Sequence, residues 1–207
     1  MHLPWFGHEY ELKERGYRFI AGIDEVGRGA IAGPVGAAAV VLPCDRELPW
    51  AKMVRDSKQL SPSRREYLAR LIRANALSIG FGMVPSEEVD ALGIVKATRL
   101  AMGKAVKMLS CKPDFLLIDA LKLPDVPLPQ RSIIHGDRIS VSIACASIVA
   151  KVARDQLMVE MDSLHPGYNL ARHKGYGTKD HLESLSQLGP CPLHRRSFAP
   201  LRMLPGL

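Results

Sequence analysis

The amino-acid sequence predicts an α/β protein, a mixed β-sheet flanked by helices and followed by a C-terminal helical part. Two observations carry this. Strand-like segments dominate the first 84 residues, and strand and helix patterns alternate after them. A third observation, a helical pattern of more than 20 residues with small side chains along it, supplies a helix long enough to cross such a sheet.

"RFIAGID" (18–24) is the first predicted strand and "VGAAAVVLP" (35–43) the second; the small residues of the latter suit a strand covered on both faces. "SPSRREYLARLIRANA" (61–76) carries helix signals: Ser61 as N-cap, Pro62 in the first turn, then apolar residues at helical spacing. "ALSIGFGMV" (76–84) alternates and contains β-branched residues, which marks a third strand. "PSEEVDALGIVKATRLAMGKAVKMLS" (85–110) starts again at a serine, Ser86, and forms one helix or two broken near Gly93. "PDFLLID" and "RSIIHGD" are short strands ending at or near Asp119 and Asp137. "SVSIACASIVAKVARDQLMVEMDSLHP" (140–166) is the long helix, "HPGYNLARHKGYGT" a Gly- and His-rich loop, and "KDHLESLSQLG" the last helix. A single domain follows, with its core at about 18–165 and a C-terminal loop and helical part at about 166–207.

Composition narrows the class. Hydrophobic residues at 47% and charged residues at 24% are ordinary globular usage. A net charge of +7 tilts the expected partners toward polyanions. The N-terminus lacks an apolar signal core and no run of about 18 apolar residues occurs, so neither secretion nor a membrane span is expected. Cys44, Cys111, Cys145 and Cys191 lie far apart and are expected as free thiols in a reducing cytoplasm. Cys191 and His194 could be half of a zinc site, but the sequence offers no second half.

Asp24, Asp119 and Asp137 each sit at or just after the end of a predicted strand, where ligand sites gather in α/β sheets. One such acid is commonly a turn former or helix cap. Three of them, with Glu25 beside the first, would repel strongly unless a cation neutralised them, and hard oxygen ligands select Mg²⁺ or Mn²⁺. Asp24 and Glu25 should point to opposite faces of a strand, so sharing a site requires a bend or bulge there. Gly27, Gly29 and Gly33 flank Arg28 and precede a strand rather than a helix, which rules out a dinucleotide-binding turn. A tight turn needing positive φ and a bare backbone that a ligand can approach both remain open on this ground.

The motif "GIDEVGRGAIAGPV" resembles the signature of the ribonuclease HII (type 2 ribonuclease H) family. "DSKQLS", "FLLID", "HGD", "SIACASIVAKVARD", "HKGYGT" and "HRRSFAP" follow in family order, from about residue 18 to 200. The resemblance implies a ribonuclease H-like fold and four metal-binding, catalytic carboxylates at Asp24, Glu25, Asp119 and Asp137. It also implies that main-chain groups at Gly27, Arg28 and Gly29 read the ribose 2′-hydroxyl, the group that separates RNA from DNA. Tyr176 is implied to stack on the sugar beyond the ribonucleotide, and Lys58 is a candidate phosphate contact; Lys151 and Arg154 are further candidates or a solvated helix face. The implied reaction is hydrolysis 5′ to a ribonucleotide embedded in duplex DNA, and cutting of RNA in RNA–DNA hybrids, leaving 5′-phosphate and 3′-hydroxyl ends. Two divalent ions, Mg²⁺ or Mn²⁺, would activate the water and stabilise the leaving oxygen.

This sequence departs from the family pattern at Ala120, where glycine is usual, at His135, where lysine is common, and at Cys145, where alanine is common. Alanine at 120 is expected to be a mild change, His135 a loop residue rather than a general base, and Cys145 a packing residue. The short N-terminal lead and Arg28 favour type 2 over type 3 enzymes. A monomer is expected. The tail "LRMLPGL" has no clear clamp-binding motif, so contact with a replication clamp is left open. Two rivals stand beside this reading: a non-catalytic nucleic-acid-binding module, which has no need of the acids, and another two-metal nuclease or recombinase, which has no use for a 2′-hydroxyl reader.

Overall fold

The structure, a computed structural model, describes residues 3–203; the last four residues of the tail, 204–207, lie outside them. Five strands form one sheet in the order β3-β2-β1-β4-β5: β1 (Ile20–Val26), β2 (Val35–Val41), β3 (Ser78–Val84), β4 (Phe115–Asp119) and β5 (Gln130–Ile133). β1, β2 and β3 are antiparallel neighbours, and β4 and β5 run parallel to β1. Each strand predicted from the sequence is present, with "RSIIHGD" ending early: β5 stops at Ile133, and Asp137 lies in the 3₁₀ turn Gly136–Arg138.

Helices cover both faces. On one, α3 (Ser86–Leu92) and α4 (Ile94–Lys107) bury Ala101 and Met102 against Ile23, Ala37, Ala39 and Ile118. On the other, α2 (Pro62–Asn75) and α5 (Val141–Leu164) bury Leu68, Ile72 and Ile148 against Val26, Ala38 and Val40. All seven residues of β2 are buried; its alanines let two helical layers approach one strand, which is the reason for the sequence's small-residue run.

The local signals worked in different ways. Ser61 caps α2 by accepting from the Arg64 N–H at 3.3 Å, with Pro62 at the first position. The 85–110 segment forms two helices, separated at Gly93 with φ +76°. Ser86 does not cap: its hydroxyl donates to the Leu193 carbonyl at 2.6 Å, fastening α3 to the C-terminal segment. The Gly- and His-rich loop contains a short helix, α6 (Leu170–His173), before α7 (Lys179–Leu188).

An N-terminal helix, α1 (Gly7–Glu14), was not expected from the sequence. It has no side-chain cap, and its stability comes from what it docks on. Leu12 is fully buried against Ile20, Phe115 and Ile143. Glu9, also fully buried, accepts from the Ser140 hydroxyl and from the Ser142 amide and hydroxyl at 2.6–2.9 Å at the start of α5. The four cysteines are free, and no described helix is long and apolar enough to cross a membrane.

Candidate active site

All nine residues singled out from the sequence, Asp24, Glu25, Gly27, Arg28, Gly29, Lys58, Asp119, Asp137 and Tyr176, line one pocket of about 400 Å³. Val26, Ser57, Ser147 and Lys151 complete the lining. The pocket opens where β1 and β4 end.

Of the two devices expected at Asp24-Glu25, a bend or a bulge, β1 shows no bulge. β1 keeps an unbroken register with β2 through Val26↔Gly36, whereas its pairing with β4 ends at Ile23↔Ile118. Beyond Ile23 the β4 side of β1 is free, and the Glu25 amide donates to Asp24 Oδ1 at 2.8 Å. Carboxylate oxygens of Asp24, Glu25 and Asp119 lie within 4.8 Å of one another. Asp119 is fixed by the Gly136 N–H, which donates to its Oδ1 at 2.7 Å. Asp137 lines the same pocket but stands outside this tight triplet.

Burial and crowding push these acids toward the protonated form. Asp24 is held well above the usual carboxylate range by burial and by the charges of Glu25 and Asp119. Burial likewise raises Glu25, against the opposing pull of Arg28 at 3.4 Å, and raises Asp119. Asp137 is raised by burial and by Asp56 and Asp119. Glu25 Oε2 is buried and has no hydrogen-bond partner among the described residues. Clustered, partly desolvated carboxylates with an unsatisfied oxygen are a poor arrangement alone and a good one for a hard divalent cation.

The opposite wall is the 27–34 loop, and its two central glycines serve different needs. Gly27 has φ +77°, and a Cβ there would lie 2.1 Å from Arg154 Nε. A Cβ on Gly29 would meet nothing within 4 Å, so this residue faces open space and keeps the main chain bare to the pocket. Two fully buried guanidiniums, missed from the sequence as structural residues, hold the loop. Arg195 donates to the carbonyls of Gly27, Arg28 and Gly33 at 2.8–3.0 Å. Arg154 donates to those of Ala32, Pro34 and Lys174 at 2.9–3.1 Å. Arg154 is therefore neither a phosphate contact nor part of a solvated face. Helical spacing carries a signal for this: Ala150 and Met158, four residues to either side of Arg154, are apolar and buried, which puts the arginine on the inner face of α5.

Lys58 is exposed on the 3₁₀ turn Ser57–Gln59, whose N-cap Asp56 accepts from the Lys58 amide at 3.0 Å. Ser57 and Ser147 share a 2.9 Å buried hydrogen bond behind the acids, and a bond from Ser147 favours the Asp24 carboxylate. Tyr176 is half-buried, its ring 5.9 Å from Lys151 Nζ and 5.7 Å from Arg154 Cζ. His135 is an exposed loop residue with φ +56°, and Cys145 is a fully buried packing residue of α5. Cys191 Sγ lies 3.2 Å from His194 Nδ1, and among the described residues no third His, Cys, Asp or Glu joins the pair as a metal ligand, so the second half of a zinc site is missing in space as it is in the sequence.

A family model described as Ribonuclease HII matches residues 21–201. A Ribonuclease HII of Dehalococcoides mccartyi is 55% identical over 97% of this chain and 95% of its own. Among solved structures, the ribonuclease H2 of Pyrococcus horikoshii superposes with a TM-score of 0.74 at 23% identity, covering 89% of this chain and 96% of that one, and shares the ribonuclease H-like fold. The RNase HII of Archaeoglobus fulgidus, solved in a complex with PCNA, gives 0.68 at 26% identity over 82% and 87%. With a match that spans the sheet, both walls of the pocket and the C-terminal segment, the chain belongs to the ribonuclease HII family, the type 2 ribonuclease H endonucleases.

Proposed function

We propose that this endonuclease hydrolyses the phosphodiester 5′ to a ribonucleotide embedded in duplex DNA, and also cuts the RNA strand of RNA–DNA hybrids, with Mg²⁺ or Mn²⁺ at the acid cluster. The observation that carries this reading is the pairing of two walls across one pocket: an acid triplet on one side and a bare glycine loop on the other.

Asp24, Glu25 and Asp119 would hold the cation, with Asp137 completing the set. Divalent ions there supply a more acidic bound water and neutralise charge that builds on the phosphate and the departing 3′-oxygen. The chain's own residues position the substrate. Arg195 and Arg154 fix the 27–34 loop by its carbonyls, so its open face is set before a nucleic acid arrives. A ribose 2′-hydroxyl, both donor and acceptor, is read by that main chain, and a DNA sugar offers nothing in its place. Tyr176 forms the side wall on which the next sugar rests. Lys58 and Lys151, which flank the acids, bind phosphates. Cleavage of this kind is a step in removing ribonucleotides from DNA.

The test is incubation with a DNA duplex holding one ribonucleotide, beside an all-DNA duplex, with and without a chelator. Cleavage is expected only on the ribonucleotide duplex, on its 5′ side, and only with metal. Asp24→Asn should lose more than about a hundredfold in rate while binding the duplex normally. Cleavage of the all-DNA duplex, chelator-resistant cleavage or an active Asp24→Asn would overturn the reading.

A further inference from the structure

Tyr176 and the glycine loop both lean on a set of buried histidines that the reaction does not use. The Tyr176 carbonyl lies 3.0 Å from His181 Nδ1, His181 Nε2 lies 3.1 Å from His194 Nε2, and the Cys191 N–H points at His194 Nδ1 at 3.1 Å. His194 in turn belongs to the segment that pairs with the glycine loop: Ala32 bridges to it, the Gly33 amide donates to the Leu193 carbonyl, and the Arg195 amide donates to that of Ile31. His181 and His194 are buried, and His173 stacks on His181 at 4.1 Å.

The protons in this chain of rings follow from the one donor that cannot reverse. A backbone N–H only donates, so His194 Nδ1 accepts from Cys191. A proton on Nδ1, directed at the Cys191 carbonyl 3.3 Å away or at its Sγ 3.2 Å away, would stand against the Cys191 N–H that already points at this nitrogen. A neutral His194 then carries its proton on Nε2 and donates it to His181 Nε2. His181 is left with its proton on Nδ1, which it donates to the Tyr176 carbonyl. His173 is fixed by the same logic: the Gly175 N–H donates to its Nδ1, and its Nε2 donates to the Tyr168 carbonyl. A second proton on either ring of the His181–His194 pair would place two N–H groups head to head. Burial and the neighbouring imidazole accordingly hold His194 down to about 4, and burial lowers His181.

We propose that His181 and His194 are positioning residues: a relay of two neutral imidazoles, with one set of tautomers, runs from the Cys191 backbone to the Tyr176 carbonyl and locks the Tyr176 wall to the glycine loop. It rests on the reading that these two walls hold the substrate. Because the wall matters most where a single ribonucleotide meets DNA, the relay governs preference between substrates rather than the chemical step.

The experiment has two arms. His181→Phe keeps ring volume and stacking but loses both hydrogen bonds; His181→Asn keeps a donor near the Tyr176 carbonyl. Cleavage at a single embedded ribonucleotide should fall about tenfold more than cleavage of a long hybrid in His181→Phe. His181→Asn should recover much of that ratio. Equal losses on both substrates, or identical behaviour of the two variants, would overturn the relay. The second arm reads ¹⁵N resonances of the imidazole nitrogens in the unaltered protein at pH 7. The expected result is a proton on Nδ1 of His181 and on Nε2 of His194. The reversed tautomers, or rings exchanging as free imidazole does, would overturn it even if a variant failed to fold. An unaltered protein that cleaves neither substrate would remove the proposed function, while the tautomers would still decide the relay.

Discussion

Across the pocket, the 27–34 loop faces the turns that follow β4 and β5, and the two are held by different physics. The loop is tied from behind by two buried guanidiniums that donate to its carbonyls and, through Arg154, to that of Lys174. Carbonyl dipoles replace the water these cations lost, and the main chain has nowhere else to go. The acid wall is the reverse. Its carboxylates crowd, their pKa values rise, one Glu25 oxygen has no partner among the described residues, and Ala120 and His135 adopt the left-handed region at φ +52° and +56°. The wall that would read the sugar is finished before substrate arrives. The wall that would hold metal is left unfavourable until charge arrives.

The sharpest way to break this contrast is to remove the tie. Arg195→Met keeps length and apolar bulk but strands the carbonyls of Gly27, Arg28 and Gly33, and should cost roughly 3 kcal/mol or more of stability. Arg195→Lys should rescue little, since one ammonium cannot reach three carbonyls with a planar fork. Urea unfolding midpoints measure both. A loss below about 1 kcal/mol for Arg195→Met would mean that the loop is held by something else.

Proton linkage separates the walls with no mutation at all. The acids have folded pKa values raised above their unfolded ones, so the folded state holds extra protons. The stability this confers is present in acid and is lost as pH rises through the folded values, upward from about 4. His181 and His194 are depressed, so their contribution is present above about 6.5 and is lost as pH falls toward about 4. Added Mg²⁺ acts only on the first set. The gain in melting temperature on adding Mg²⁺ should be small at pH 4.5 and grow by several degrees toward pH 7, leaving the histidines' acid lability in place. A gain independent of pH would show that the acids are already ionised at pH 4.5 and that burial and crowding do not raise them.

The sequence made the sheet legible because strand alternation, a capped α2 and a long apolar α5 are local signals. It also made the acids legible, since they end strands. It did not reveal how Asp24 and Glu25 share a site: the answer lies in the β1–β4 pairing, which stops at Ile23↔Ile118 while β1 runs on to Val26, a property of pairing and not of either residue. α1 escaped for a similar reason. Its residues are polar and uncapped, and only Ser140 and Ser142, more than 130 positions away in sequence, account for the buried Glu9. Arg154 and Arg195 look like surface cations in a list of residues and are core residues in space.

Ala120 is the place where sequence and conformation disagree most usefully, because a methyl group is a mild change only where the backbone is ordinary. Here the residue after Asp119 turns with φ +52°, its amide donating to the Ile133 carbonyl at 3.0 Å to start the acid wall's turn. Its side chain is exposed, so the methyl gains no packing that offsets the strain. A left-handed alanine costs about 1–2 kcal/mol, and glycine there would give back about 0.5–1 of it in unfolded-state entropy. Ala120→Gly should therefore stabilise the protein by roughly 0.5–1 kcal/mol, read as a higher urea midpoint at constant slope, with cleavage rates changed less than about threefold. If the variant is instead less stable, the methyl supports the turn, and the acid wall is stiffer than its crowded carboxylates imply.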